Sequence, residues 1–168
     1  MKAKSDLNTK VMYEQACAFL DCAKYTESEK YKIEGRTNSH LYVDMSLSAL
    51  ACEIFIKCLI IEKHGRYGKE HSLKKLWEIY KQLDENKSAD VEKWMQDWFK
   101  SDDSEMFNKM ISDAAFSFSR WRYVFDYESS DGIRINSQFL RGFRTVLREI
   151  TCQTIHGKSW ETIENELV

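Results

Sequence analysis

Apolar side chains recur at three- and four-residue steps along most of this chain, and two-residue alternation is negligible. That period predicts helices rather than strands. From about Asn8 to Glu27, Val11, Met12, Ala16, Phe19, Leu20 and Ala23 share one face, and Asn8 or Thr9 can cap the start. A polar stretch from Ser28 to Ser39 follows as a loop or a frayed helix end. The second helix is expected from about Asn38 to His64, stopped by Gly65. It is nearly apolar all round, with Leu47, Leu50, Ile54, Cys58 and Ile61 on one side and Phe55, Ile56, Leu59 and Ile60 on others. A helix of that kind is central and buried.

Ser72 is placed to cap a third helix, about Leu73 to Leu83, whose face is Leu73, Leu76, Trp77, Tyr80 and Leu83. The acidic stretch Asp84 to Glu105 holds a fourth, with Val91, Trp94, Met95, Trp98 and Phe99. A fifth is predicted from near Ser104 to about Tyr127, with Met106, Phe107, Met110, Ile111, Ala114, Ala115 and Phe118 inward. Ser129-Ser130-Asp131-Gly132 is the clearest turn. The sixth helix spans about Ser137 to His156 on a stripe from Phe139 and Leu140 to Ile150 and Thr154, and a weaker terminal helix follows from Ser159 to Leu167. The sum is an all-α antiparallel bundle of about five to seven helices.

Composition narrows this further. The 168 residues suit one domain, 43% hydrophobic and 31% charged, large enough to bury a core with no disulfide or metal staple. There is no proline and only 6 glycines, which argues against a turn-rich β architecture. A net charge of −2 and a pI near 6.1 give no overall warrant for nucleic acid or membrane, so any anion-binding surface must be local. The longest apolar run, Ile54 to Ile61, is interrupted by Lys57 and falls far short of the roughly 20 residues of a membrane span. The N-terminal residues lack the apolar core of a signal peptide. Five cysteines, odd in number and without C-x-x-C, read as reduced thiols in a cytoplasmic protein, with no metal or cofactor implied.

Three constellations can carry chemistry. On the second helix Ser46, Glu53, Lys57 and His64 fall within about 40° of one another as a narrow polar seam. It is either a solvent edge with a weak i,i+4 ion pair or a buried seam at an interface or site. Arg120-Trp121-Arg122-Tyr123 interleaves cations with aromatics, the combination that stacks on single-stranded nucleic acid; the alternative is aromatic packing with paired arginines. On the sixth helix Arg141, Arg144 and Arg148 lie within about 60° as an outer face. Four arginines, Arg134 included, stand against Glu149 alone from Arg134 to His156. Such a face binds phosphate or pairs with the acidic Asp84–Glu105 region. The turn Gly65 to Glu70 lacks a Gly-Lys-Ser/Thr ending and is no phosphate loop.

Taken in order, three passages resemble a HEPN-type helical domain. Ser48-Ala49-Leu50-Ala51-Cys52-Glu53 through Lys57-Cys58-Leu59 is similar to that family's small-x-x-Glu-x-x-x-Lys-x-Leu helix. Gly65 to Glu70 with His71-Ser72-Leu73 resembles its Gly-His-x-Leu lead-in, and Phe118-Ser119-Arg120-Trp121-Arg122-Tyr123 resembles the Phe-x-x-Trp-Arg-Tyr run of some bacterial members. The resemblance covers about Leu41 to His156. It implies a homodimer, a toxin–antitoxin or phage-defence setting, and RNA or a partner protein such as a nucleotidyltransferase antitoxin as the binding partner. Active members cut RNA without metal, using Arg and His separated by four to six residues. Here Arg148 and His156 are nearest to that pattern, with seven residues between them. The expected function is a dimeric binding module acting on RNA or a partner through a basic face. The alternatives are a metal-independent ribonuclease using Arg148 and His156, and a structural interaction module docking through Trp94 to Phe107.

Overall fold

In a computed structural model, residues 8–27, 37–115 and 136–166 are described, with side chains from residue 41 onward in the second stretch. Seven helices lie among them and no strand: α1 Thr9–Glu27, α2 Thr37–His64, α3 Leu73–Leu83, α4 Glu85–Phe99, α5 Met106–Asp113, α6 Ser137–His156 and α7 Trp160–Glu166. The chain is an all-α bundle. None of these helices is long and apolar enough to cross a membrane.

The helix ends follow local chemistry. The Asn8 side chain accepts from Val11 N–H, that of Asn136 from Phe139 N–H, and Ser72 Oγ from Lys75 N–H. Each satisfies a backbone donor that the first helical turn leaves open. Gly65 at φ 77° and Gly157 at φ 68° close α2 and α6 in the left-handed region that favours glycine. The fifth helix is shorter than its periodicity suggests and ends at Asp113. Ala115 N–H turns back to Ser112 O, while Ala115 O accepts from Leu73 N–H at 2.9 Å. That carbonyl serves the start of α3 instead of a longer α5.

Helix α2 runs through the centre, packed against α1, α6 and α3. Its buried side chains include Met45, Ala49, Cys52, Phe55, Ile56, Leu59 and Ile60. An aromatic cluster joins three further helices: Trp77 of α3, Phe107 of α5, and Phe139 and Phe143 of α6, with ring centroids 5.4–5.6 Å apart. Three of these pairs meet edge-to-face and Phe139–Phe143 is stacked, and such aromatic contacts add about 0.5–1.5 kcal/mol per pair beyond area burial. Polar ties complete the frame. Thr9 donates to Glu62 at 2.6 Å, Trp77 Nε1 and Lys81 both donate to Glu92, and Lys87 donates to Thr154 at 2.8 Å.

The bundle also buries ions. Arg144 is 2% exposed and Asp44 is 1% exposed, and they meet at 2.8 Å. Arg144 also donates to Ser48 and to Glu27, the last residue of α1. Arg141 joins at 2.7 Å to Asp44 and 3.0 Å to Glu27. Two guanidinium groups and two carboxylates thus balance where α1, α2 and α6 converge. Removing one member of a buried pair costs about 3–5 kcal/mol, because its partner keeps its desolvation penalty. We expect Asp44→Ala to lower stability to urea by about that amount, and Asp44→Leu combined with Arg144→Met to recover most of it. Equal losses in the single and the double variant would contradict this.

Four of the five cysteines are buried, and Cys22 is exposed. Burial pushes the thiol of Cys17 up to about 11 and that of Cys58 up to about 12. A thiol-specific reagent at pH 8 is expected to titrate one fast equivalent, Cys22, in the folded chain. The other four should react only on unfolding, and replacing Cys22 by Ser should remove the fast phase.

Candidate functional site: the polar groups of the central helix and the ends of α6

The seam Ser46, Glu53, Lys57, His64 does not act as one unit. Ser46 is half-buried near one end, and His64 is exposed at the other, accepting from Arg66 Nε at 3.3 Å. Between them Glu53 and Lys57 are buried. Lys57 Nζ lies 2.7 Å from Glu53 Oε1 and 5.1 Å from the centre of the Tyr67 ring. His71 Nδ1 reaches the same carboxylate oxygen at 2.9 Å, while its ring remains mostly exposed. The second oxygen, Glu53 Oε2, is buried with no partner. The solvent-edge alternative is therefore overturned, because the loop 65–72 folds back over this part of α2. Glu70 holds that loop in place, accepting from Ser72 N–H at 2.8 Å and His71 N–H at 2.9 Å. Those backbone donors keep its carboxyl below the usual range.

The expected arginine face on α6 is corrected more sharply. Arg144 points inward and Arg141 is half-buried, both bound to Asp44 and Glu27. Their partners are neither phosphate nor the acidic Asp84–Glu105 region. The reason is that α6 is a core helix, flanked by α1, α2 and α4, so its arginine stripe is turned toward the carboxylates of α1 and α2 rather than fully to water. Arg148 is half-buried with its guanidinium carbon 4.5 Å from the centre of the Trp160 ring. Arg120, Arg122 and Arg134 lie outside the described residues.

Arg148 and His156 share an aromatic neighbourhood. The His156 ring meets Tyr13 edge-on at 5.4 Å, and Tyr13 lies 6.4 Å from Trp160, which covers Arg148. Burial raises the Tyr13 hydroxyl above its usual range, and the thiols of Cys152 and Cys17 lie beside it. Helix α6 continues unbroken to His156, so the two residues remain about 12 Å apart along its axis. Among the described residues no group of three His, Cys, Asp or Glu side chains could hold a metal ion.

Two contacts escaped the sequence reading, although Trp94 and Trp98 were already offered as a docking segment. Asp44 and Ser48 form an i,i+4 hydrogen bond at 3.0 Å on the apolar helix, a polar pair whose spacing was the available signal. Trp98 is 53% exposed and lies against Gly142 of α6, where an added Cβ would sit 3.2 Å from the indole. Trp94, one turn earlier, is also exposed.

The Glu53–Lys57 pair makes a direct prediction. Lys57→Met leaves a buried carboxylate with only His71, and stability to urea is expected to fall by about 3 kcal/mol. Lys57→Met with Glu53→Leu should be more stable than Lys57→Met alone; a double variant weaker than the single would mean the pair is not buried as described. No family model matches the chain, and comparison with curated proteins and with solved structures found no match.

Proposed function

We propose that this chain is a HEPN-like helical module that works by binding a partner protein, and that its working surface is the tryptophan face of α4. The observation that carries this reading is the exposure of Trp98, with Trp94 one turn earlier, on an acidic helix. Asp90 precedes Trp94 by one turn, and Asp97 follows it by three residues, so acids and indoles share a face. Glu92 is taken by Lys81 and Trp77, and Lys87 by Thr154. Trp94 and Trp98 thus stand beside Asp90 and Asp97 on that face. Exposed tryptophan is the residue type most enriched at binding hot spots, and it attracts a cation to its ring face. The matching partner is a basic, apolar segment. The resemblance suggests two candidates to carry such a segment, a second copy of the chain and a nucleotidyltransferase antitoxin.

The internal pairing of Arg141 and Arg144 weighs against RNA binding through α6. One observation favours the ribonuclease alternative: Arg148 and His156 gather around the same Tyr13–Trp160 ring pair. A two-part experiment separates these readings. Wild type, Arg148→Ala and His156→Ala are incubated with single-stranded RNA, free of metal, at two salt concentrations. The expected result is neither cleavage nor a salt-sensitive shift. Wild type and Trp98→Ala are then titrated with a defined amphipathic peptide carrying arginine and leucine. Binding is expected to weaken by about 2 kcal/mol in Trp98→Ala, roughly 30-fold. Cleavage lost in both the Arg148 and His156 variants would replace the docking reading with the nuclease.

A further inference from the structure

A pocket of about 180 Å³ opens between the end of α2, the loop 65–72 and the start of α3. We propose that it binds a small apolar carboxylate, with the hydrocarbon body on Ile60, Leu76 and Ile79 and the carboxylate on Arg66. This site shares no residue with the tryptophan face of α4, so it stands or falls independently of the docking reading.

Charge is the first argument. From Lys63 to Lys75 the chain carries Lys63, Arg66, Lys69, Lys74 and Lys75 against the single acid Glu70. Lys63 is neutralised by Asp84 at 2.7 Å, and Lys75 approaches Glu70 at 3.6 Å. Among the described residues no carboxylate pairs with Arg66. Its Nε donates to His64 Nε2 at 3.3 Å. The pocket rim therefore carries a guanidinium whose terminal N–H groups, with no partner among the described residues, can form the two parallel bonds a carboxylate accepts.

Shape is the second. Ile60 and Leu76 are buried and form the floor, Ile79 is 40% exposed at the rim, and Tyr67 makes a wall. Tyr67 is fixed by Lys57 at 5.1 Å, which ties the wall to the buried Glu53 pair. Gly68 leaves the mouth open, since a Cβ there would meet nothing within 4 Å. An apolar cavity of roughly 150 Å³ holds a benzene ring, so this volume suits one ring or a short branched chain bearing an acid. It is smaller than the roughly 300 Å³ at which pockets begin to take drug-sized ligands. A single guanidinium matches one negative charge. Both points favour a monocarboxylate, whether a free aromatic or branched acid or the C-terminal residue of a peptide.

Fluorine resonance titration tests the assignment. The full chain is titrated with 4-fluorobenzoate, 4-fluorobenzyl alcohol and N-acetyl-4-fluorophenylalanine. Saturable binding of at least one acid is expected, with a dissociation constant on the order of 1 mM or tighter. The neutral alcohol should bind about tenfold more weakly, as should the better acid to Arg66→Gln. Ile79→Ser should weaken the acid as well; both substituted side chains are exposed, and circular dichroism checks that the fold is kept. Tighter binding of the fluorobenzoate identifies a free acid as the ligand class, and tighter binding of the acetylated amino acid identifies a peptide C-terminus. Failure of both acids to saturate, equal binding of the alcohol, or an unchanged affinity in Arg66→Gln would each overturn the proposal.

Discussion

A guanidinium that is almost wholly removed from water dictates much of this structure. Arg144 cannot shed its charge at any ordinary pH, so burying it requires acceptors at fixed places. Asp44 and Ser48 on α2 and Glu27 at the end of α1 supply them, and Arg141 balances the second carboxylate. Hydrophobic contacts among α1, α2 and α6 tolerate sliding by a turn, whereas this lattice does not. It contributes little net stability over apolar residues of the same size. Its effect is to hold three long helices in one register.

The same helix carries a second buried ion pair, and the two are answered differently. Asp44 is met by side chains of another helix, whereas Glu53 is met by Lys57 one turn away and by His71 from a loop. The second arrangement makes loop 65–72 part of the core's electrostatics. It also orients Tyr67, and through it the pocket that Arg66 borders. The functional surfaces proposed for this chain therefore rest on opposite solutions. The tryptophans of α4 protrude from a helix tied to its neighbours by Glu92 and Lys87, whereas the pocket depends on a loop held by a buried carboxylate.

Much of this was legible in the amino-acid sequence. Asn8, Ser72, Gly65 and Gly157 mark helix ends by their side chains or their tolerance of positive φ, and those bounds were readable to within a residue or two. The centrality of α2 followed from its lack of a polar face. The arginines of α6 were misread for a physical reason: a helical wheel shows which residues share a side, not what that side meets. Asp44 lies 97 residues from Arg141, and no local pattern links them. The length of α5 was misread because Ala114 and Ala115 continue the apolar period, while the hydrogen bond that ends the helix comes from Leu73. Glu53 and Lys57 were found as a pair, but their burial depended on the return path of a loop.

The arginine–carboxylate lattice has a further consequence, for the order in which the chain can mature. Glu27 and Asp44 leave the ribosome long before their partners, since 117 residues separate Arg144 from Glu27 and 100 separate it from Asp44. Until α6 is made, α1 and α2 hold two carboxylates that the finished interior would have to bury alone. Closing that edge before the arginines exist would leave both carboxylates without the guanidinium groups that pair with them. Helix α6 brings the neutralising charge and two core aromatic side chains, Phe139 and Phe143, together.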